Sequence, residues 1–299
     1  MSFAMFSRFT TLAKIFMMGP SLSTNLIGNT PKENIMSKAD KRDDLGNRMK
    51  RYELKDNASI LLPGIPVYTR IDGRAFSTLT KGLERPFCKP FHDIMTETTK
   101  VLVGKTHALF GYTQSDEISL VHLWPSHEQM FFGGRQGKLN SVFAGIASSA
   151  FVIHAAKSEI SSEINFDRYP HFDSRTVNLP SNTEATNMIY WRWRDARKNA
   201  INGFGRSQFS QKELHGVSNQ KVLERMKDLG YDFEDQPNDF KNGSFIFSRV
   251  TERKVPNEDG TGEITVNRHV TEVVDLPPLN MVANRTAVFF EGAEPILKK

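Results

Sequence analysis

Pro66-Val67-Tyr68-Thr69-Arg70-Ile71-Asp72-Gly73-Arg74 is a short β-prone run that ends on an acid and a glycine, the usual punctuation of a strand end. Downstream, Leu109-Phe110-Gly111-Tyr112-Thr113-Gln114-Ser115-Asp116-Glu117-Ile118-Ser119-Leu120-Val121 reads as strand, polar turn, strand. Between the two runs, Phe91, Ile94, Met95, Thr98, Val101, Leu102 and Lys105 follow a helical period with one mainly apolar stripe. Strand, helix and hairpin make the first half of a βαββαβ split unit. In such a unit the first and third strands lie side by side and antiparallel, so the end of the first meets the start of the third. Asp72 then neighbours Asp116. Two carboxylates that close repel unless a cation sits between them, and hard oxygen ligands favour magnesium or manganese over zinc. A site of this kind orients a triphosphate for in-line attack by a hydroxyl. Taken singly, Asp-Gly is a turn and Asp-Glu a surface pair; their convergence carries the reading. Adjacent strand residues point to opposite faces, so only one of Asp116 and Glu117 can face Asp72, and Glu117 is the second choice.

The rest of the chain completes the unit. A second long helix is expected from about Lys138 to Ser158, with Val142, Ile146, Ala150 and Ile153 as its apolar stripe on the same sheet face as the first. Phe172 to Leu179 reads as the fourth strand, ending at Pro180, with Asp173 a structural acid on an edge strand. The fold class is therefore α+β: a palm-like, ferredoxin-like βαββαβ antiparallel sheet with two helices on one face. A helical extension follows. Its first helix, Asn182 to Gly205, sets Trp191 and Trp193 among Arg192, Arg194, Arg197 and Lys198, a mixture that suits RNA by phosphate contact and stacking. Ser210 to Gly216 is a loop before a helix from Asn219 to Leu229. Ser244–Val250 and Glu263–Val270 alternate as a C-terminal hairpin. The division is 1–36 as an extension, 37–180 as the palm-like catalytic domain, and 181–299 as an RNA-handling region with the hairpin.

With 39 basic against 34 acidic residues the net charge is only +5, too mild to establish nucleic-acid binding alone. Cys88 is the sole cysteine, which excludes an intramolecular disulfide and a cysteine zinc site. Residues 1–36 are poor in acids and rich in Ser, Thr, Phe and Met. They read either as an extension ahead of a start at Met36, with a cytoplasmic protein, or as a mitochondrial transit peptide. A short charged helix is expected from Asp43 to Glu53. No segment reads as membrane-spanning.

Arg70-Ile71-Asp72-Gly73-Arg74-Ala75-Phe76 followed by Gln114-Ser115-Asp116-Glu117 resembles the paired signature of the tRNAHis guanylyltransferase-like family, template-dependent polymerases that add nucleotides to RNA in the 3′-to-5′ direction. Further matches are Phe132-Gly133-Gly134-Arg135 with Lys138, Phe172-Asp173-Ser174-Arg175, Trp191-Arg192 with Asp195 and Asn199, and Lys212-Glu213-Leu214-His215-Gly216. Their order holds from about Leu45 to about Phe247. The resemblance implies a nucleotidyltransferase with two magnesium ions held by Asp72, Asp116 and the Gly73 carbonyl, with Glu117 as a further catalytic acid. Arg74, Ala75, Phe76, Ser77 and Ser115 would line the nucleotide, and Arg135, Lys138 and Lys212 would contact triphosphate or RNA. It further implies ATP, GTP and other nucleoside triphosphates as substrates, tRNA as partner, and a homotetramer. Met188-Ile189-Tyr190-Trp191-Arg192-Trp193 stands where the eukaryotic enzymes carry His-Ile-Asn-Asn-Leu-Tyr-Asn, so the likeness is to bacterial and archaeal-type members, and tRNA 5′-end repair competes with tRNAHis guanylylation. Two other readings stay open: a nucleotidyl cyclase on the same split fold, and a catalytically dead RNA-binding module.

Overall fold

The computed structural model describes Arg48, Met49 and residues 59–256 and 262–298. The reading of residues 1–36, most of the charged helix at 43–53 and the tip of the C-terminal hairpin lie outside the described residues. Strand β1 (Val67–Gly73), helix α1 (Phe76–Leu79), helix α2 (Lys89–Thr106), strands β2 (Phe110–Gln114) and β3 (Glu117–His122), helix α3 (Gln136–Ala156) and strand β4 (Phe172–Asn178) form the βαββαβ unit. Strand β1 pairs antiparallel with both β3 and β4, setting Asp72 across from Glu117 on one side and Asp173 on the other.

Alternation along these strands builds two cores. Val67, Ile71, Ile118 and Leu120 face α2 and α3, where Met95, Leu102, Phe143 and Phe151 are buried. Tyr68, Phe110, Tyr112 and Val121 face the opposite way. There they meet α4 (Asn182–Arg206) through Ala185, Ile189 and Trp193, and the C-terminal helix α8 (Arg285–Glu291) through Phe289. Helix α4 starts where the sequence signals it, with the Ser181 side chain accepting from the Glu184 N–H at 3.2 Å. Its C-terminal half runs past the sheet into a lobe, where Ile201 and Phe204 pack on Val222 and Met226 of α6 (Asn219–Asp228) and on Phe240 of α7 (Asn238–Asn242). Between them, α5 (Gln211–Leu214) is capped by a reciprocal Ser210–Glu213 box.

Two expectations need correction. The buried stripe of α3 is Leu139, Phe143, Ala147, Ala150, Phe151 and Ala155, whereas Val142 and Ile146 are half-buried and Ile153 is exposed. The helix is small-residue and apolar nearly all round, so the two phenylalanines decide its rotation, and they turn one residue past the expected stripe. That composition would also let α3 cross a membrane, but here it packs on α2 and β4. Second, the C-terminal hairpin, β5 (Ser244–Pro256) and β6 (Glu263–Val274), is longer than read and belongs to the main sheet. Strand β5 pairs with β2, giving the six-stranded order β4-β1-β3-β2-β5-β6.

Candidate active site

The end of the sheet that carries the acids is built by two turns. After β1, Ala75 takes a left-handed conformation (φ 59°), and the chain doubles back into α1 so that Phe76 drops into the core. There its ring meets Phe151 at 5.0 Å and Phe172 at 4.9 Å between centroids. Gly73 is required by this packing, because a Cβ there would lie 2.6 Å from the Phe76 ring. The second turn is the Ser115–Asp116 loop between β2 and β3, with Ser115 at φ 55°. The Gly73 N–H donates to the Asp116 carbonyl at 2.9 Å, which locks the two turns together. Two non-glycine residues in a sparsely populated backbone region, both at one cleft, mark a strained and functionally suggestive place.

Asp72 and Asp116 come together here, and Glu117 joins them. The expectation that only one of Asp116 and Glu117 can face Asp72 is corrected. Glu117 stands directly across from Asp72 in the ladder, while Asp116, lying in the turn, escapes strand alternation, and both carboxylates feel the Asp72 charge. Burial pushes the Asp116 carboxyl above its ordinary range, backbone hydrogen bonding opposes the rise, and the neighbouring Asp72 charge adds to it. Burial also pushes Glu117 up, against the pull of the Arg192 guanidinium, which donates from Nε and Nη2 to its two oxygens at 2.6 Å each.

These acids open onto a cleft of about 1070 Å³ between the strand ends and the helical lobe. Ser77 and Phe76 line it from α1, Ser115 from the turn, Arg192, Lys198, Asn199 and Arg206 from α4, and His215 from beyond α5. Arg74 is exposed beside the opening, its N–H donating to the His171 carbonyl. Lys212 is exposed on α5, whose Gln211 and Leu214 line the cleft. Arg135 and Lys138 are not brought here. Arg135 opens α3 bridged to Ile60, whereas Ser148, roughly 20 Å further along that helix, is what meets Phe172 across from Gly73. Lys138 instead sits over the Phe132 ring at 4.7 Å. Lys198, Asn199 and Arg206 were not singled out for this cleft by sequence, although the basic run of α4 signalled a polyanion surface.

Among the described residues no group of three or more His, Cys, Asp or Glu side chains is placed to hold a metal ion. Asp72, Asp116 and a neighbouring backbone carbonyl would together offer an all-oxygen donor set of the kind magnesium takes, with positions left for water and phosphate oxygens. A buried carboxyl pushed up beside a second carboxylate is also what a divalent cation would relieve.

Residues 46–180 match the protein-family model described as tRNAHis guanylyltransferase. The chain is 27% identical to tRNA(His) guanylyltransferase of Saccharomyces cerevisiae over 218 residues, which covers 66% of this chain and 87% of that protein. A bacterial tRNA(His) guanylyltransferase-like protein solved in complex with ATP superimposes with a TM-score of 0.68 at 27% identity, over 83% of this chain and 97% of its own. Such a protein in complex with GTP gives 0.64 at 25% identity, over 84% and 98%. The strand-end acids and both turns lie within residues 46–180, so the likeness to the tRNAHis guanylyltransferase family covers the candidate site itself.

Proposed function

We propose that this chain is a magnesium-dependent nucleotidyltransferase that adds nucleotides to the 5′ end of tRNA in the 3′-to-5′ direction. The observation that carries the reading is the convergence of Asp72 and Asp116 at the mouth of a cleft whose far wall is basic. Relatives named as tRNA(His) guanylyltransferases, and bacterial neighbours in complex with ATP and GTP, support it. Asp72, Asp116 and the Gly73 carbonyl would hold two magnesium ions, which supply charge neutralisation and orientation of the phosphates. The Ala75–Ser77 turn and Ser115 hold the nucleotide against the strand ends. Lys198, Arg206 and Lys212 attract the triphosphate and the RNA backbone across the cleft. A nucleotide 3′-hydroxyl then attacks the α-phosphorus of an RNA 5′ end that is adenylylated by ATP or already triphosphorylated, forming a phosphodiester and expelling AMP or pyrophosphate. The Met188–Trp193 segment, which lacks the His-Asn motif, favours repair of 5′-truncated tRNA, templated by the opposite strand, over addition of G to tRNAHis alone. Homotetrameric assembly and a cytoplasmic location belong to the same proposal. Incubation with ATP, GTP, magnesium and a 5′-truncated tRNA tests it: extended RNA supports it, cyclic nucleotide reassigns the chain as a cyclase, and bound but unchanged RNA leaves a binding module.

A further inference from the structure

Glu117 is the acid of the cleft whose geometry differs most from that of a metal ligand. Both its oxygens are taken by one planar guanidinium, Arg192 Nε to Oε1 and Nη2 to Oε2 at 2.6 Å each, and the two side chains are only 16% and 14% exposed. Arg192 is steadied in turn by Asp195 at 3.4 Å and by stacking 4.8 Å from the Trp191 ring centre. The pair joins the first residue of β3 to the middle of α4. At that point α4 leaves the sheet face, and its Ala196, Lys198 and Asn199 become the cleft wall. We infer that Glu117 is a positioning residue and not a metal ligand: with Arg192 it clamps α4 to the catalytic strand ends and so fixes the distance across the nucleotide cleft.

A fork of two charge-assisted bonds is specific to arginine and a carboxylate; lysine offers a point charge, and a carboxamide accepts through one oxygen. The inference rests on the nucleotidyltransferase reading, and its test separates the two. Mn2+ affinity by electron paramagnetic resonance, ATP affinity by calorimetry and thermal unfolding are measured on the full chain, on Glu117→Gln, on Arg192→Lys and on the double variant. The clamp predicts Mn2+ affinity within about threefold of the parent in all variants. It predicts ATP affinity reduced about tenfold in each single variant and no further in the double, since the second change acts on a fork already broken. A tenfold or larger loss of Mn2+ affinity confined to the Glu117→Gln variants makes Glu117 a ligand and overturns the inference. So do additive losses of ATP affinity, or a lower unfolding temperature with ATP binding unchanged. A parent chain that binds neither Mn2+ nor ATP overturns the nucleotidyltransferase reading itself, and the clamp with it.

Discussion

Gly73→Ala should strike the nucleotide turn through sterics alone. Gly73 is not among the positive-φ glycines, so its backbone accepts an alanine, but the added methyl would lie 2.6, 2.7 and 3.0 Å from three atoms of the Phe76 ring. Carbon–carbon contact is comfortable near 3.5–4.0 Å, so the ring must retreat by about 1 Å. Phe151, Phe172 and Phe91 stand behind it at 5.0, 4.9 and 6.3 Å between centroids, and all of them are buried. Overpacking of this kind costs about 1–3 kcal/mol. Because Phe76 follows Ala75 in the turn, its displacement also moves the Ala75–Ser77 backbone, and ATP affinity should fall with stability. Phe76→Leu shortens the ring and should cost stability by itself, yet it makes room for the new methyl. In urea denaturation the double variant should therefore be at least about 1 kcal/mol more stable than the sum of the single effects requires. Additivity to within about 0.3 kcal/mol would refute the steric reasoning.

Other outcomes follow from the same geometry. His122 is fully buried between Trp124 and Phe143, and burial lowers its pKa to about 3 from an ordinary 6.5; the unfolded chain therefore binds the extra proton first, and stability should fall by about 2 kcal/mol between pH 7 and pH 5, a slope that His122→Phe should flatten in denaturant titrations. Asp116 has the opposite sign: its raised folded-state pKa makes ionisation costly as pH rises through it, so Asp116→Asn should raise the melting temperature at pH 7 without metal and abolish any further rise on adding Mg2+. Trp193→Ala empties the core beneath α4 and should cost about 3–5 kcal/mol in the same unfolding assay. Lys198→Ala should weaken ATP binding several-fold by calorimetry while Arg135→Ala leaves it within about twofold, because only the first lines the cleft.

The palm was legible because its information is local. Val67 to Gly73 and Ile118 to His122 are short β-prone runs, the Ser115–Asp116 turn is short, and βαββαβ connectivity then sets β1 beside β3. What escaped is non-local or conformational. Nothing in a serine announces φ 55°, yet that angle frees Asp116 from strand alternation and lets both acids feel Asp72. Arg192 reads as one cation in an RNA-facing run, and no periodicity links it to Glu117, 75 residues earlier. Arg135 and Lys138 carry the signature of an anion site at a helix start, but sequence does not say which end of the sheet that start occupies. The hairpin strands were visible, while the pairing of β5 with β2 depends on an edge that only the folded sheet presents.

The most direct test of the central claim is 5′ extension of a truncated tRNA with labelled nucleoside triphosphates and Mg2+, comparing the parent chain with Asp72→Asn and Asp116→Asn. Metal-dependent transfer at these acids predicts addition by the parent of the nucleotide complementary to the opposing strand, with no extension by either folded variant at saturating Mg2+. Near-parental extension by both variants would contradict it.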